Sequence, residues 1–233
     1  MRPRFIGKLS LADLVTTLNV VIGFLGVAVL LIDTSRYPLA ARLVLLSAIT
    51  DALDGIVARR RTSSDAGAVL DSLADVASFS VAPAAMVVGA VVTTYDLEAS
   101  FFAGVAVGIP ALFVAVAVVR LGLYTANDVG NAHTEGVQTT LAATLLAAGV
   151  LAGVPTAVIL GATGVFCYLM VVPVTYPDLF ARDAVAMGVI QALALVAPDL
   201  LLSVFPRLLL GLALAYLCLG PRLYWREIPV SEA

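Results

Sequence analysis

Asp51-Ala-Leu-Asp54-Gly55-Ile-Val-Ala58-Arg59-Arg60-Arg61-Thr-Ser-Ser-Asp65-Ala66-Gly67-Ala-Val-Leu-Asp71-Ser-Leu-Ala-Asp75 holds five of the twelve aspartates in a chain of 233 residues. Asp51, Asp54, Gly55, Ala58 and Arg59 lie at spacings 0, 3, 4, 7 and 8, which is one face of an α-helix. After a short polar turn, Gly67, Asp71 and Asp75 follow at 0, 4 and 8, again one face. Two antiparallel helices with these faces together would bring four carboxylates to one place. Asp51 and Asp75 would each lie about 12 Å along their helices from the turn. The glycines and the alanine allow a close approach of backbone or ligand. Asp65 is off the pattern and reads as a solvated turn residue.

The surroundings of this hairpin set the fold class. The chain is 61% hydrophobic and 12% charged, with a mean hydropathy of +1.06. Thirteen basic and sixteen acidic side chains cannot cover the surface of a soluble protein of this size. This excludes a soluble globular enzyme, a secreted disulfide scaffold, a disordered tail and a nucleic-acid binder. Eight apolar segments, near 14–32, 38–58, 68–93, 100–123, 137–152, 154–172, 183–197 and 203–219, predict an all-α, polytopic integral membrane helical bundle. Gly153-Val154-Pro155 predicts a tight hairpin between the fifth and sixth segments, and Ala197-Pro198-Asp199 separates the seventh and eighth. With no long linker or internal repeat, residues 1–233 read as a single domain. The basic start followed by apolar sequence to Ile32 has no small-residue cleavage site, so no cleavable signal is expected.

Basic residues stay on the cytoplasmic side of a membrane. With the N-terminus inside, ten of them, including Arg59, Arg60, Arg61, Arg120 and Arg182, fall on that side, against Arg36, Arg42 and Arg207 opposite. The reading is a multi-pass protein of the cell membrane with both termini and the aspartate hairpin facing the cytoplasm. Cys167 and Cys218 sit in apolar runs and read as small hydrophobes, and the lone His133 as a solvated loop residue.

Four carboxylates so close below a membrane surface need cations. An all-carboxylate set suits hard divalent ions such as Mg²⁺, Mn²⁺ or Ca²⁺. Room for two of them suggests the clamp used in phosphoryl chemistry, with Arg59 available for phosphate. A single aspartate of this kind has about an even chance of a structural role, whereas the joint pattern has roughly a 5% chance.

The string Asp-x₂-Asp-Gly-x₂-Ala-Arg, short turn, Gly-x₃-Asp-x₃-Asp resembles the signature of the CDP-alcohol phosphatidyltransferase family, with every position filled by Asp51, Asp54, Gly55, Ala58, Arg59, Gly67, Asp71 and Asp75. The resemblance implies a membrane enzyme that joins a CDP-linked lipid to an alcohol and releases CMP, and commonly a homodimer. It implies that Asp51, Asp54, Asp71 and Asp75 hold two divalent cations, Mg²⁺ or Mn²⁺. Gly55, Ala58, Arg59 and Gly67 would contact the CDP moiety, and Asp75 would act as general base. Asp71-Ser-Leu-Ala-Asp-Val-Ala-Ser-Phe-Ser-Val-Ala-Pro-Ala84 is similar to the branch that uses L-serine. So is the first segment, through Thr17, Asn19 and Gly23. Arg120-Leu-Gly-Leu-Tyr124 and Glu135-Gly-Val-Gln138 are similar to further elements of that branch, with Leu123, Thr125 and Gln138 where it has arginine, asparagine and proline.

The branch makes Asn19 and Arg120 candidate substrate contacts, Arg120 for the serine carboxylate or a lipid phosphate. By position alone Arg120 reads slightly better as a snorkelling residue at a helix end, and Asn19 as a helix-pairing contact. One lysine against twelve arginines, with abundant Ala, Val and Asp, hints at a salt-adapted source, so CDP-archaeol stands beside CDP-diacylglycerol as the donor. Inositol phosphate or glycerol phosphate would need a second cationic pocket, for which few basic residues remain. A cation-coupled transporter is the alternative from another class, but all four acids lie on one hairpin and no inverted repeat accompanies them. A structural membrane scaffold would tolerate Asn at all four.

Overall fold

The computed structural model describes residues 10–60, 66–95, 101–127, 133–177 and 181–223. Among these the chain forms eight helical rods. They are α1 (Leu11–Ile32), α2 (Tyr37–Arg60), a continuous rod from Gly67 to Thr94, α5 (Phe101–Asn127), α6 (Thr139–Leu151), α7 (Thr156–Leu169), α8 (Ala181–Val196) and α9 (Val204–Leu223). The third rod is α3 (Gly67–Asp75), a π-helical stretch Val76–Val81 and α4 (Ala82–Thr94). Four rods, α1, Gly67–Thr94, α5 and α9, are long and apolar enough to cross a membrane, and α6 and α7 are shorter apolar helices. The protein is thus a multi-pass membrane helical protein, with helix boundaries close to the eight segments of the sequence.

The faces of α1 follow from its sequence. Ser10 and Asp13 form a reciprocal cap, Asp13 N–H donating to Ser10 Oγ at 3.1 Å and Ser10 N–H to Asp13 Oδ2 at 2.6 Å. Thr16, Asn19, Gly23, Gly26 and Leu30 are buried on one face, while Leu14, Leu18, Val21 and Leu25 are exposed on the other. The buried face packs on α2 and on the third rod. Gly23 is required there, because a Cβ would come within 2.7 Å of Ser78 Oγ and 2.9 Å of Ser78 Cα. Ser78 Oγ donates to the Asn19 carbonyl at 2.9 Å, tying α1 to the π-helical stretch. That stretch precedes Pro83, which has no N–H to give the Phe79 carbonyl, and Ala82 N–H reaches back five residues to Ala77 O.

The centre of the bundle is α6, in which ten of thirteen residues are buried; it packs against α2, α7 and α9. A helix apolar all round belongs in the interior. The predicted hairpin after it is present, with Gly153 at φ +78° and Pro155 capping α7. Polar side chains pin α8 to α2: Gln191 Nε2 donates to Leu45 O at 2.9 Å and Arg42 Nε to Leu195 O at 2.8 Å.

The connection from α8 to α9 runs over residues 197–203, close to the gap between the expected segments, and Leu201, Leu202 and Ser203 take left-handed conformations there at φ 50°, 59° and 60°. One feature departs from the sequence reading. The all-α bundle also carries a two-stranded antiparallel ribbon, β1 (His133–Glu135) and β2 (Thr175–Pro177), with Thr134 opposite Tyr176. Strands of three residues are too short to leave a readable alternation.

Candidate active site

Asp51 on α2 and Asp71 and Asp75 on α3 present carboxylate oxygens all within 4.8 Å of one another. Helical periodicity explains the grouping: Asp71 and Asp75 stack one turn apart on α3, and Asp51 faces them from the preceding helix. Asp51 and Asp75 are half-buried, and Asp75 Oδ1 is closed off from solvent. Gly55 is half-buried one turn along α2, and Gly67 opens α3. The side chains of Asp54, Ala58 and Arg59 lie outside the described residues, as does that of His133.

Three carboxylates at this separation fit a hard divalent cation, which takes oxygen ligands and offsets their mutual repulsion. The described residues bring three of the four expected ligands together. The donor set has no sulfur or nitrogen member, which fits Mg²⁺ or Mn²⁺ better than a softer metal.

Beside the aspartates is an open pocket of about 190 Å³. Its walls include Asp51, Asp71, Asp75, Arg120, Thr134 and Gln138. Arg120 is 7% exposed, so its head is turned into the protein and not outward as a snorkelling residue would be. Its Nη2 donates to Thr134 Oγ1 at 3.0 Å, and its Cζ lies 6.0 Å from the Tyr124 ring centroid. Gln138 ends the segment before α6, and its side chain makes no cap bond to that helix.

The remaining branch positions separate. Thr125 shares a short hydrogen bond with Ser72, beside Asp71, and so ties α5 to α3. Leu123 is 58% exposed and points away. Asn19 is fully buried against the π-helical stretch, its amide making no hydrogen bond among the described residues, and it is not among the residues lining the pocket. Thr134, Thr139 and Thr140 are pocket residues that sequence reasoning missed, since threonines outside any recognisable motif carry no signal.

Residues 9–177 match the CDP-alcohol phosphatidyltransferase family. The chain belongs to that family. The match contains the whole aspartate hairpin, the pocket and the ribbon. The chain is 49% identical over 77 residues to a CDP-diacylglycerol–serine O-phosphatidyltransferase of Methanocaldococcus jannaschii, covering 33% of this chain and 34% of that protein. It is 32% identical over 148 residues to an archaetidylserine synthase of Methanothermobacter thermautotrophicus, covering 62% and 59%. A CDP-diacylglycerol–serine O-phosphatidyltransferase of Helicobacter pylori is 37% identical over 103 residues, covering 43% and 40%. The chain therefore spans between about a third and three fifths of the length of these relatives.

Proposed function

We propose that this member of the CDP-alcohol phosphatidyltransferase family transfers a phosphatidyl-type group from a CDP-lipid to the hydroxyl of L-serine, releasing CMP. The observation that carries the reading is the grouping of Asp51, Asp71 and Asp75 beside a pocket that also contains a buried arginine. The names of the three relatives support serine as the acceptor.

In this reading the serine hydroxyl oxygen attacks the phosphorus that carries the lipid, the phosphoanhydride bond to CMP breaks, and the serine proton passes to the Asp75 carboxylate. A carboxylate within hydrogen-bond reach of the incoming hydroxyl can act in this way. Two divalent cations, Mg²⁺ or Mn²⁺, held by Asp51, Asp54, Asp71 and Asp75, would neutralise the pyrophosphate and the charge on departing CMP. Gly55, Ala58, Arg59 and Gly67 contact the CDP moiety, with Arg59 suited to a forked phosphate contact. Arg120 pairs with the serine carboxylate, whereas Asn19, fully buried and outside the pocket lining, is left as a helix-pairing residue and not a substrate contact. Residues 1–233 act as one unit, a reading supported by the packing of α8 on α2 and of α9 on α6. The unit is a homodimer whose active site and termini face the cytoplasm, where nucleotide-activated lipid is met.

The test is CMP release by purified protein with Mg²⁺ or Mn²⁺, supplied with CDP-diacylglycerol or CDP-archaeol and with serine, inositol phosphate, glycerol phosphate or ethanolamine. CMP release with serine above the other acceptors is the expected result, and the better donor fixes the lipid class. Release with a phosphorylated acceptor alone would reassign the pocket, and solute flux in vesicles without CMP release would favour a transporter.

A further inference from the structure

We propose that Thr134 is a positioning residue for Arg120, and that the β1–β2 ribbon is there to hold it; the inference rests on the serine reading of the pocket. Arg120 and Thr134 are both buried, 7% and 5% exposed, and Arg120 Nη2 donates to Thr134 Oγ1 at 3.0 Å. A guanidinium has several rotatable bonds behind it, and its worth as a forked carboxylate ligand depends on where its plane is held. The Tyr124 ring lies to one side and the Thr134 hydroxyl takes one N–H, which fixes that plane. Asp51, Asp71 and Asp75 line the same pocket, so the arginine has carboxylates as alternative partners. A neutral threonine oxygen restrains the head without adding a further charge to the pocket.

The ribbon is built as a rigid mount. Thr134 is buried while its neighbour Glu135 is exposed, as alternation along a strand requires. Thr134 pairs with Tyr176, Gly136 N–H donates to Val174 O at 2.8 Å and Val137 N–H to Leu169 O at 2.9 Å. On the far side the ribbon is latched to α9 twice, Tyr176 Oη donating to Leu217 O at 3.2 Å and Tyr216 Oη to Pro177 O at 2.6 Å. A three-residue strand pair would not hold its shape in isolation. With these bonds it fixes Thr134 relative to α9 and the end of α7, and Arg120 reaches it from α5.

The test compares Thr134→Val, which keeps the shape and the strand preference but removes the acceptor, with Thr134→Ser, which keeps it. With the full chain, Mg²⁺, a CDP-lipid and L-serine, Thr134→Val should raise the KM for serine about tenfold, the scale of one hydrogen bond to a charged group. The KM for the CDP-lipid and the kcat should stay near wild type, and Thr134→Ser should restore the serine KM. In an Arg120→Gln background Thr134→Val should add almost nothing. An unchanged serine KM in Thr134→Val, when Arg120→Gln alone raises it, would overturn the positioning role and leave the serine reading standing. A wild-type serine KM in Arg120→Gln would overturn both. A loss shared equally by both substrates and by kcat would mean that Thr134 only holds the fold.

Discussion

Asp75 combines two demands in one side chain. It stands at the junction of α3 with the π-helical stretch, one oxygen is shut away from solvent, and its carboxylate meets those of Asp51 and Asp71. Asn keeps the shape and removes the charge, so Asp75→Asn separates chemistry from packing. Loss of a general base costs about 10²–10⁴ in rate, and a weakened cation site adds to that. Asp75→Asn should therefore lower CMP release at least about a hundredfold while leaving the protein folded and monodisperse in detergent. Near-normal turnover would remove Asp75 from the chemistry. The carboxylates were readable from sequence because four Asp at helical spacing on consecutive helices is a pattern with few other causes. Arg120 was legible only through the branch resemblance, since by position alone it suits an arginine that snorkels outward, and the fold turns it in toward Thr134.

Among the elements, the apolar helices were legible because about 20 residues of uninterrupted apolarity has one ready explanation. The π-helical stretch and the ribbon were not: Pro83 loosens the turn before it without dictating its form, and the contacts that hold the two elements are tertiary, Ser78 against Asn19 and Gly23 in one case, Tyr176 and Tyr216 against α9 and β2 in the other. Burial first, and the nearby Cys218 second, push the Tyr176 phenol above its ordinary value. Its latch is therefore fully present below the unfolded-state value and is lost only as pH rises through the higher folded one. The turn between β1 and α6 gives the sharpest test of the ribbon. Gly136 has φ +72°, and a Cβ there would lie 2.3 Å from Met170 O. Neither the conformation nor the backbone contact can yield cheaply, so Gly136→Ala should cost about 2–4 kcal/mol from overpacking and left-handed strain together. The measurement is the thermal midpoint and the yield of monodisperse protein. Wild-type values for both would show that the ribbon can shift freely and that its latches do not fix it.

At the scale of the whole molecule, the formal charge of −3 is small, but part of it is gathered where the lipid-facing bundle can least accommodate repulsion. Grouped carboxylates oppose folding when no cation is present, and a cation that binds only the folded chain stabilises it by mass action. Added Mg²⁺ or Mn²⁺ should accordingly raise the thermal midpoint, by the equivalent of about 2.7 kcal/mol at a hundredfold excess over Kd for one site. A chelator should lower the midpoint and stop CMP release. Added NaCl at matched ionic strength should not reproduce the effect, because screening weakens repulsion without supplying ligand bonds. Asp51→Asn should blunt the response by removing one of the three gathered carboxylates and the repulsion it contributes. If the midpoint were indifferent to divalent ions in wild type, the aspartates would be held by protein partners alone, and the cation centre on which the proposed transfer depends would have to be given up.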